Sequence, residues 1–255
     1  MYAAKQKASV IIQARMSSTR LPGKVMMKVI GKPLIGHMID RLRHASMIDK
    51  IIVATSIDNA NNLMYDYLKS YGVIVYRGSE NDVLARFYEA AHKYKLKYII
   101  RVTADCPLID PNIIDKFVSD FFSRGADYVC GTSRLAEGLD TEVFSFEVLE
   151  QAYRQAKKKS EREHVTVYVH NNPTLFNLVK IDNETDDGKY RITVDEPVDF
   201  EVVKKVFEAL YTNQDHIFGI KEIKKFLDQH PEIHALNSAI VRNEGLLKSL
   251  AEDIK

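Results

Sequence analysis

The sequence lacks several features that would place it in whole classes of protein. Its formal net charge is +1 at neutral pH, so no global field would attract nucleic acid or an anionic membrane. No apolar run approaches the roughly 18 to 20 residues of a membrane helix, and Met1–Lys7 lacks the apolar core of a secretory signal. We therefore expect a protein that binds no nucleic acid and does not insert into a membrane.

Cysteine is also scarce. Cys106 and Cys130 are the only two, they form no C-x-x-C pair, and nothing in their spacing indicates a disulfide framework. This usage predicts a reduced, cytoplasmic setting. His164 and His170 stand six positions apart, a poor spacing for a shared zinc ion on a helix.

A short apolar run followed by a basic, hydroxyl-rich loop stands near the start of the chain, as SVIIQARMSSTRLPGK from Ser9 to Lys24. Val10–Ile12 is too continuous for a half-exposed strand and predicts a buried parallel strand. The loop after it, here called the cradle (Ala14–Lys24), ends in the turn signal Pro22-Gly23. Its fixed positive charges and hydroxyls suit phosphate, and they come from Arg15, Ser17, Ser18, Thr19, Arg20 and Lys24.

The cradle is not a Walker loop. That pattern requires a glycine and a Ser or Thr at positions that hold Ser18 and Val25 here. On composition alone, an exposed basic loop is an equally good interpretation.

Strands and helices then alternate at short intervals, which predicts βαβ units and a mainly parallel sheet. The predicted strands in this part are Ile51–Thr55, Val73–Tyr76 and Tyr98–Val102. Ligands bind at the carboxyl ends of such strands, where the cradle also lies.

Carboxylates follow two predicted strands. Asp105 comes after Tyr98–Val102, and Asp195 comes after a predicted strand at Tyr190–Val194. Both carboxylates would then reach one edge of the sheet, and a cation would relieve their repulsion. Alternatively, Asp105 caps a turn and Asp195 caps the helix that begins near Pro197.

Three further segments offer polar groups. RGSENDVLAR, from Arg77 to Arg86, predicts a loop that becomes a helix capped by Ser79 or Asn81, with Glu80 favoured by the helix dipole. In an antiparallel strand near residues 138–146, Asp140 and Glu142 would share one face, in a binding site or in solvent. His164 could be a ligand-pocket residue or a buried, hydrogen-bonded histidine.

The motif A-R-x-x-S-T-R-L-P-G-K in the cradle resembles the nucleotide loop of cytidylyltransferases that make CMP-activated 3-deoxy-manno-octulosonate or sialic acid. RGSENDVLAR, the motif R-E-H-V-T at Arg162–Thr166 and the stretch HPEIHALNSAIVRNEGLLKSL resemble cytidylyltransferases of spore-coat polysaccharide biosynthesis. The resemblance covers nearly the whole chain.

The resemblance implies a Rossmann-like nucleotidyltransferase fold of the α/β class, with a mainly parallel sheet flanked by helices. Residues 1–213 would form the nucleotidyltransferase domain and residues 214–255 a small helical extension. The implied reaction transfers CMP from CTP to a sugar acid or sugar phosphate and releases pyrophosphate, for surface polysaccharide or glycan synthesis. The resemblance also implies Mg²⁺ as cofactor and a homodimer.

Carried onto this sequence, the family's motifs imply four groups of site residues. The catalytic residues would be Arg15, Lys24 and Asp105, and the metal ligands Asp105 and Asp195. The nucleotide would be bound by Ala14, Arg15, Ser17, Ser18, Thr19, Arg20, Lys24, Arg77, Ser79, Arg86, Thr103 and Ala104. The acceptor would be bound by Asp140, Glu142, His164 and Arg191. Thr103 departs from the 3-deoxy-manno-octulosonate enzymes, which have a glutamine there, so one contact to cytosine is missing or replaced.

Two alternatives remain at this stage. A glycosyltransferase that uses a nucleotide sugar would be expected to carry an Asp-x-Asp motif, and the chain has none. A nucleotide-binding protein without catalytic activity is the other.

Overall fold

Strands and helices alternate through the first half of the chain in the computed structural model, which describes residues 6–183, 185–213 and 216–253. The elements are β1 (Ala8–Gln13), β2 (Lys28–Val29), β3 (Lys32–Pro33), α1 (Leu34–Arg43), β4 (Ile48–Ser56), α2 (Asn62–Ser70), β5 (Ile74–Gly78), α3 (Val83–Lys93) and β6 (Tyr98–Thr103). Short 3-10 turns lie at Lys24–Met26 and Asn59–Asn61. This order confirms the predicted βαβ units.

The second half contains fewer strands and more helices. The elements are α4 (Pro111–Ser123), β7 (Tyr128–Gly131), β8 (Glu142–Ser145), α5 (Phe146–Gln155), α6 (Lys159–Glu163), α7 (Val167–Asn171), β9 (Leu178–Ile181), α8 (Pro197–Leu210), α9 (Ile220–Gln229), α10 (Pro231–His234) and α11 (Glu244–Glu252).

The strands form a seven-stranded sheet in the order β5-β4-β1-β6-β8-β7-β9, and β2 pairs with β3 in a separate hairpin. β1 lies between β4 and β6 and is parallel to both, and only β8 runs antiparallel to its neighbours. The chain leaves β1 towards β4 and β5 and later crosses to β6 on the other side. The carboxyl end of β1 is therefore a topological switch point, where open α/β sheets bind ligands.

Both faces of the sheet are covered, which is why its strands are continuously apolar. Ile12 packs in a core with α1, α2 and α4, through residues such as Met38. Ile11 faces the other way, into a core with α3 and α5 that includes Phe87. The predicted α/β fold, a mainly parallel sheet flanked by helices, is confirmed.

Capping residues set the helix starts. Asp110 caps α4, because its Oδ1 accepts a hydrogen bond of 2.9 Å from the backbone N–H of Asn112. For α3 the predicted cap was wrong: Asp82 Oδ1 accepts from the N–H of Ala85 at 2.8 Å. Ser79 Oγ instead accepts from the N–H of Asp82, so it shapes the preceding turn.

The predicted strand at Tyr190–Val194 was also wrong. Within the described residues its only β-type pairing is one isolated bridge, between Arg191 and Glu137, and Glu137 also lies outside the strands. The N–H of Val194 donates to the carbonyl oxygen of Asp105 at 2.7 Å, so this segment pairs with loops and not with a strand. It still delivers Asp195 to the edge of the sheet.

The C-terminal extension packs onto the segment that carries Asp195. Ile223 and Leu227 of α9 share a core with Val203 and Phe207 of α8. The helices of the predicted helical extension are interrupted, because α10 ends at His234 and α11 begins at Glu244. The predicted domain boundary at 213/214 stays a prediction, and Gln214 and Asp215 lie outside the described residues.

Across residues 6–183, 185–213 and 216–253, no helix has both the length and the apolar character needed to span a membrane.

Candidate active site

The cradle leaves β1 at the switch point and is held there by a buried amide. The N–H of Met16 donates to Asn61 Oδ1 at 2.9 Å, and Asn61 Nδ2 donates to Ser56 Oγ at 2.8 Å. Gly23 closes the loop by donating to the carbonyl oxygen of Met16 at 2.9 Å, with a left-handed φ of 73° that favours glycine. Sequence reasoning missed Asn61, whose only signal was the Asn-rich stretch after β4.

Lys24 lies directly after that glycine and points into the sheet edge. Its Nζ donates to the carbonyl oxygen of Val194 at 2.7 Å and to Asp195 Oδ1 at 2.8 Å, and it lies 3.4 Å from Asp105 Oδ2. The whole residue is only 8% exposed. The structure thus brings Lys24, Asp105 and Asp195 together, although 171 positions separate the first from the last.

This cluster is strongly coupled electrostatically. Burial disfavours the charged form of Lys24, yet attraction to Asp105 and Asp195 outweighs it and raises the lysine pKa. Burial likewise works against ionised Asp105, but attraction to Lys24 and a hydrogen bond from Thr103 Oγ1 lower its pKa overall. Both groups are therefore charged at neutral pH. Thr103 holds the carboxylate of Asp105 in place.

Arg20 binds the same carboxylate oxygen of Asp195 as Lys24 does. Its Nη2 lies 2.8 Å from Asp195 Oδ1, and its Nη1 lies 3.4 Å from both Glu196 and Glu244. The alternative that Asp195 is only a helix cap is wrong. The N-cap of α8 is Glu196, whose N–H donates to Asp199 Oδ2.

Arg15 stands at the outer end of the cradle. Its side chain is 43% exposed, and its Nη1 lies 3.4 Å from Glu80 Oε1. Ser17 Oγ donates to the same oxygen at 2.6 Å. Burial raises the pKa of Glu80, but the hydrogen bond from Ser17 and the charge of Arg15 lower it overall. Sequence reasoning had assigned Glu80 only to a helix dipole.

The other residues predicted to bind the nucleotide at this edge are Ser18, Thr19, Ala14 and Ala104, and most of them support the fold of the loop. Ser18 Oγ accepts from the N–H of Leu21 at 3.3 Å, while Thr19 is exposed. Ala14 and Ala104 are buried where their strands end, and their N–H groups donate to neighbouring strands. Only their backbones could face a ligand.

The second predicted nucleotide loop is placed differently from the expectation. Arg77 clamps the loop after β4, because its guanidinium donates to the carbonyl oxygens of Ser56 and Asp58 at 3.0 and 2.9 Å. Arg86 is fully buried and donates through Nη1 to the carbonyl oxygen of Ser79 at 2.7 Å. Arg86 therefore does not line an open pocket, since α3 carries its side chain under the loop.

Glu142, predicted for the acceptor, lies in a buried network. It pairs with Arg101 and accepts hydrogen bonds from Tyr128 Oη and Thr166 Oγ1. Burial raises its pKa, but the charge of Arg101 and hydrogen bonds from His170 and Tyr128 hold it well below the usual range. The prediction that Asp140 shares its face was wrong: β8 begins only at Glu142, and Asp140 precedes the strand.

Asp140 and His164 both contact the C-terminal extension. Asp140 Oδ1 lies 2.8 Å from Arg242 Nη2, and His164 Nε2 lies 3.0 Å from Ser249 Oγ. The turn beside His164 is strained, because Val165 is buried, β-branched and left-handed at φ 48°. Strained residues of this kind concentrate at functional sites.

Arg191, predicted for the acceptor, is buried among carboxylates. It is 5% exposed, and its guanidinium is engaged by Asp199 at 2.8 Å and by Glu137 at 2.6 Å. Attraction and hydrogen bonds from these carboxylates outweigh burial and raise its pKa. Three carboxylates, those of Glu137, Asp195 and Asp199, surround its guanidinium, which does not fit the predicted acceptor contact.

The assembled site pairs phosphate-binding groups with two carboxylates. In the described part of the chain, no group of three or more His, Cys, Asp or Glu side chains is arranged to hold a metal ion. Two carboxylates and a triphosphate nevertheless suit Mg²⁺, which prefers oxygen and usually takes only one or two protein carboxylates. The arrangement can bind a polyphosphate and stabilise charge that develops on it.

Comparison with known proteins agrees with this chemistry. A family model described as Cytidylyltransferase matches residues 9–239. The chain is 39% identical over 233 residues to a protein of Methanocaldococcus jannaschii described as uncharacterized, covering 90% of this chain and 94% of that protein. It is 31% identical over 229 residues to the spore coat polysaccharide biosynthesis protein SpsF of Bacillus subtilis, covering 87% and 94%.

A solved cytidylyltransferase of Leptospira borgpetersenii superposes with a TM-score of 0.86 at 32% identity, covering 93% of this chain and all of that one. This chain is also 31% identical over 115 residues to the 3-deoxy-manno-octulosonate cytidylyltransferase of Geobacter metallireducens, a shorter match that covers 44% of each protein. These matches confirm the family resemblance that the motifs indicated, and they do not support the glycosyltransferase alternative. Because a family model spans most of its length and full-length relatives align with it, the chain belongs to the cytidylyltransferase family.

Proposed function

We propose that this protein transfers CMP from CTP to a sugar acid or a sugar phosphate, with release of pyrophosphate, in the synthesis of a surface polysaccharide or glycan. The observation that carries the proposal is the meeting of Lys24, Asp105 and Asp195 at the mouth of the cradle. The relation to SpsF and to 3-deoxy-manno-octulosonate cytidylyltransferase supports this class of acceptor.

The cradle residues would bind the triphosphate. Arg15 is only weakly paired at the surface, so its guanidinium can turn from Glu80 to a phosphate at little cost. Lys24 is buried and fixed, which suits a donor that stabilises charge at the reacting phosphate without reorganising. The acceptor oxygen would attack the α-phosphorus as pyrophosphate leaves.

Asp105 and Asp195 would hold the Mg²⁺ ion that we propose as cofactor. The chemistry supplied by a bound Mg²⁺ ion would be neutralisation of negative charge on the triphosphate and on the leaving pyrophosphate. Thr103 would orient Asp105, and Arg20 would orient Asp195. We further propose that the protein acts as a homodimer in the cytoplasm.

The test is a substrate screen. The protein is incubated with each of the four nucleoside triphosphates, Mg²⁺ and a panel of sugar acids and sugar phosphates, and pyrophosphate is measured. We expect release with CTP and one class of acceptor, and loss of release by orders of magnitude in Asp105→Asn. Equal release with UTP would contradict the choice of nucleotide, and no release with any pair would contradict the reaction. Light scattering at micromolar concentration tests the dimer, which a monomeric mass would contradict.

A further inference from the structure

The C-terminal extension contributes a buried amide to the network behind Asp195. Asn237 lies between α10 and α11 and is 1% exposed. Its Nδ2 donates to Asp199 Oδ1 at 2.9 Å and to the carbonyl oxygen of Arg191 at 3.1 Å. Its Oδ1 has no hydrogen-bond partner among the described residues. A buried acceptor without a partner lowers stability. The contribution of this amide to the site therefore comes from its Nδ2 donor.

Asp199 passes this contact on to the backbone of Asp195. Asp199 is fully buried, and its Oδ2 accepts from the N–H groups of Asp195 and Glu196, each at 2.9 Å. Arg191 holds the same carboxylate with two hydrogen bonds of 2.8 Å. With Asn237 these make five donors, which fix the plane and position of the carboxylate. The side chain of Asp199 therefore connects the N–H of Asp195 to Asn237 of the extension.

The extension reaches Asp195 from its other side as well. Glu244, the first residue of α11, lies 3.4 Å from Arg20, and Arg20 lies 2.8 Å from Asp195 Oδ1. The backbone of Asp195 is thus set through Asn237 and Asp199, and its carboxylate is set through Glu244 and Arg20. Outer groups that orient a metal ligand typically change metal affinity by about 10- to 100-fold when removed.

We propose that Asn237 is a positioning residue for Asp195, and that the C-terminal extension is for this reason part of the active site. The inference rests on the proposed function, in which Asp195 binds the metal that accompanies the triphosphate. Asn237 touches neither substrate nor metal. It acts by keeping the Asp199 carboxylate under the turn from which Asp195 projects.

Backbone hydrogen exchange tests the positioning without any ligand. In the full chain, Asn237→Ala and Asn237→Ser should speed exchange of the peptide that spans residues 193–197 by about tenfold or more. Asn172→Ala is the matched control, because that half-buried amide donates to the carbonyl oxygen of Tyr168 at 2.8 Å in another part of the fold. Unchanged exchange in residues 193–197 would overturn the proposal. Exchange that rises equally everywhere would also overturn it, by showing a general loss of stability.

Metal dependence tests the consequence. The thermal shift produced by CTP is followed against Mg²⁺ concentration, and again with inorganic pyrophosphate as the probe. Asn237→Ala should need about three- to tenfold more Mg²⁺ to reach half of the shift, with Asp195→Asn needing more still and Asn172→Ala behaving like the parent. If Asn237→Ala needs as much Mg²⁺ as the parent while Asp195→Asn needs more, the role of Asn237 is contradicted and the proposed metal site is not. A normal requirement in both, or no Mg²⁺-dependent shift with either probe, overturns the proposed metal site and the inference with it.

Discussion

Replacing Lys24 by methionine isolates its charge, because methionine keeps much of the length of the side chain and its apolar packing. In the parent protein the ammonium lies 2.8 Å from Asp195 and 3.4 Å from Asp105. Without it, Asp195 keeps its contact with Arg20 at 2.8 Å, but Asp105 loses its ion-pair partner. We expect Lys24→Met to be destabilised before any substrate is considered.

The magnitude follows from burial. Removing one partner of a buried ion pair costs about 3 to 5 kcal/mol, because the remaining charge is left without compensation. The side chains of Asp105 and Asp195 are 27% and 17% exposed, so water screens part of the lost electrostatic attraction. We therefore expect the free energy of unfolding to fall by about 2 to 4 kcal/mol at neutral pH.

The loss should depend on pH with a definite sign. The folded pKa of Asp105 is depressed, so its contribution to stability is present above 3.8 and disappears as pH falls through the lower folded value. The folded pKa of Lys24 is raised, so its contribution is present below 10.5 and disappears only above that. In Lys24→Met, acid protonates Asp105 and removes the charge that has lost its partner. The difference between parent and variant should be largest near neutral pH and shrink as the pH falls below 3.8.

Urea unfolding at several pH values, with and without Mg²⁺, measures this difference. Lys205→Met, at an exposed position on α8, should stay within about 0.5 kcal/mol of the parent. Mg²⁺ should restore more stability to Lys24→Met than to the parent, since a ligand that binds only the folded state stabilises it. A variant as stable as the parent at neutral pH, with no added response to Mg²⁺, would refute the reasoning.

Two further predictions concern backbone geometry. Gly138 has φ of 109°, and an added Cβ would lie 2.7 Å from backbone atoms of Ile192 and Thr193, so Gly138→Ala should lower the free energy of unfolding by about 2 to 4 kcal/mol in urea titration. Lys95 is exposed and left-handed at φ 52° where α3 ends, a position that favours glycine, so Lys95→Gly should raise the midpoint of thermal unfolding and add about 0.5 to 1 kcal/mol. The opposite sign in either case would contradict the strain argument.

The positions of the central groups could be predicted because they depend on strand ends. An apolar run of three or four residues identifies a buried strand, and parallel strands bring their carboxyl ends to one edge. Asp105 and the cradle were placed correctly by this rule alone. Asp195 was placed correctly although Tyr190–Val194 is not a strand, because an extended segment that pairs with the Asp105 loop delivers it to the same edge.

The partners of the charged residues could not be predicted, because they depend on contacts between distant segments. Arg86 and Arg191 lie in sequence motifs that predict ligand binding. In the structure, Arg86 is buried beneath the loop before α3, and Arg191 pairs with Asp199 and Glu137. Glu142 is half-buried and pairs with Arg101, 41 positions away. Nothing in the local pattern of these residues separates a binding group from a structural ion pair.

The pairing of charges around the cradle bears on how a triphosphate can enter. Arg15 pairs with Glu80, Lys24 pairs with Asp105 and Asp195, and Arg20 pairs with Asp195, Glu196 and Glu244, so the three cations face five carboxylates. A loop that is strongly basic in sequence therefore has no excess of positive charge in the folded protein. A triphosphate bound there without a counterion would leave excess negative charge in a partly buried site, which is costly. The charge balance therefore favours a divalent cation that arrives with the nucleotide, and it gives Asp105 and Asp195 a purpose that neutralising Lys24 alone would not require.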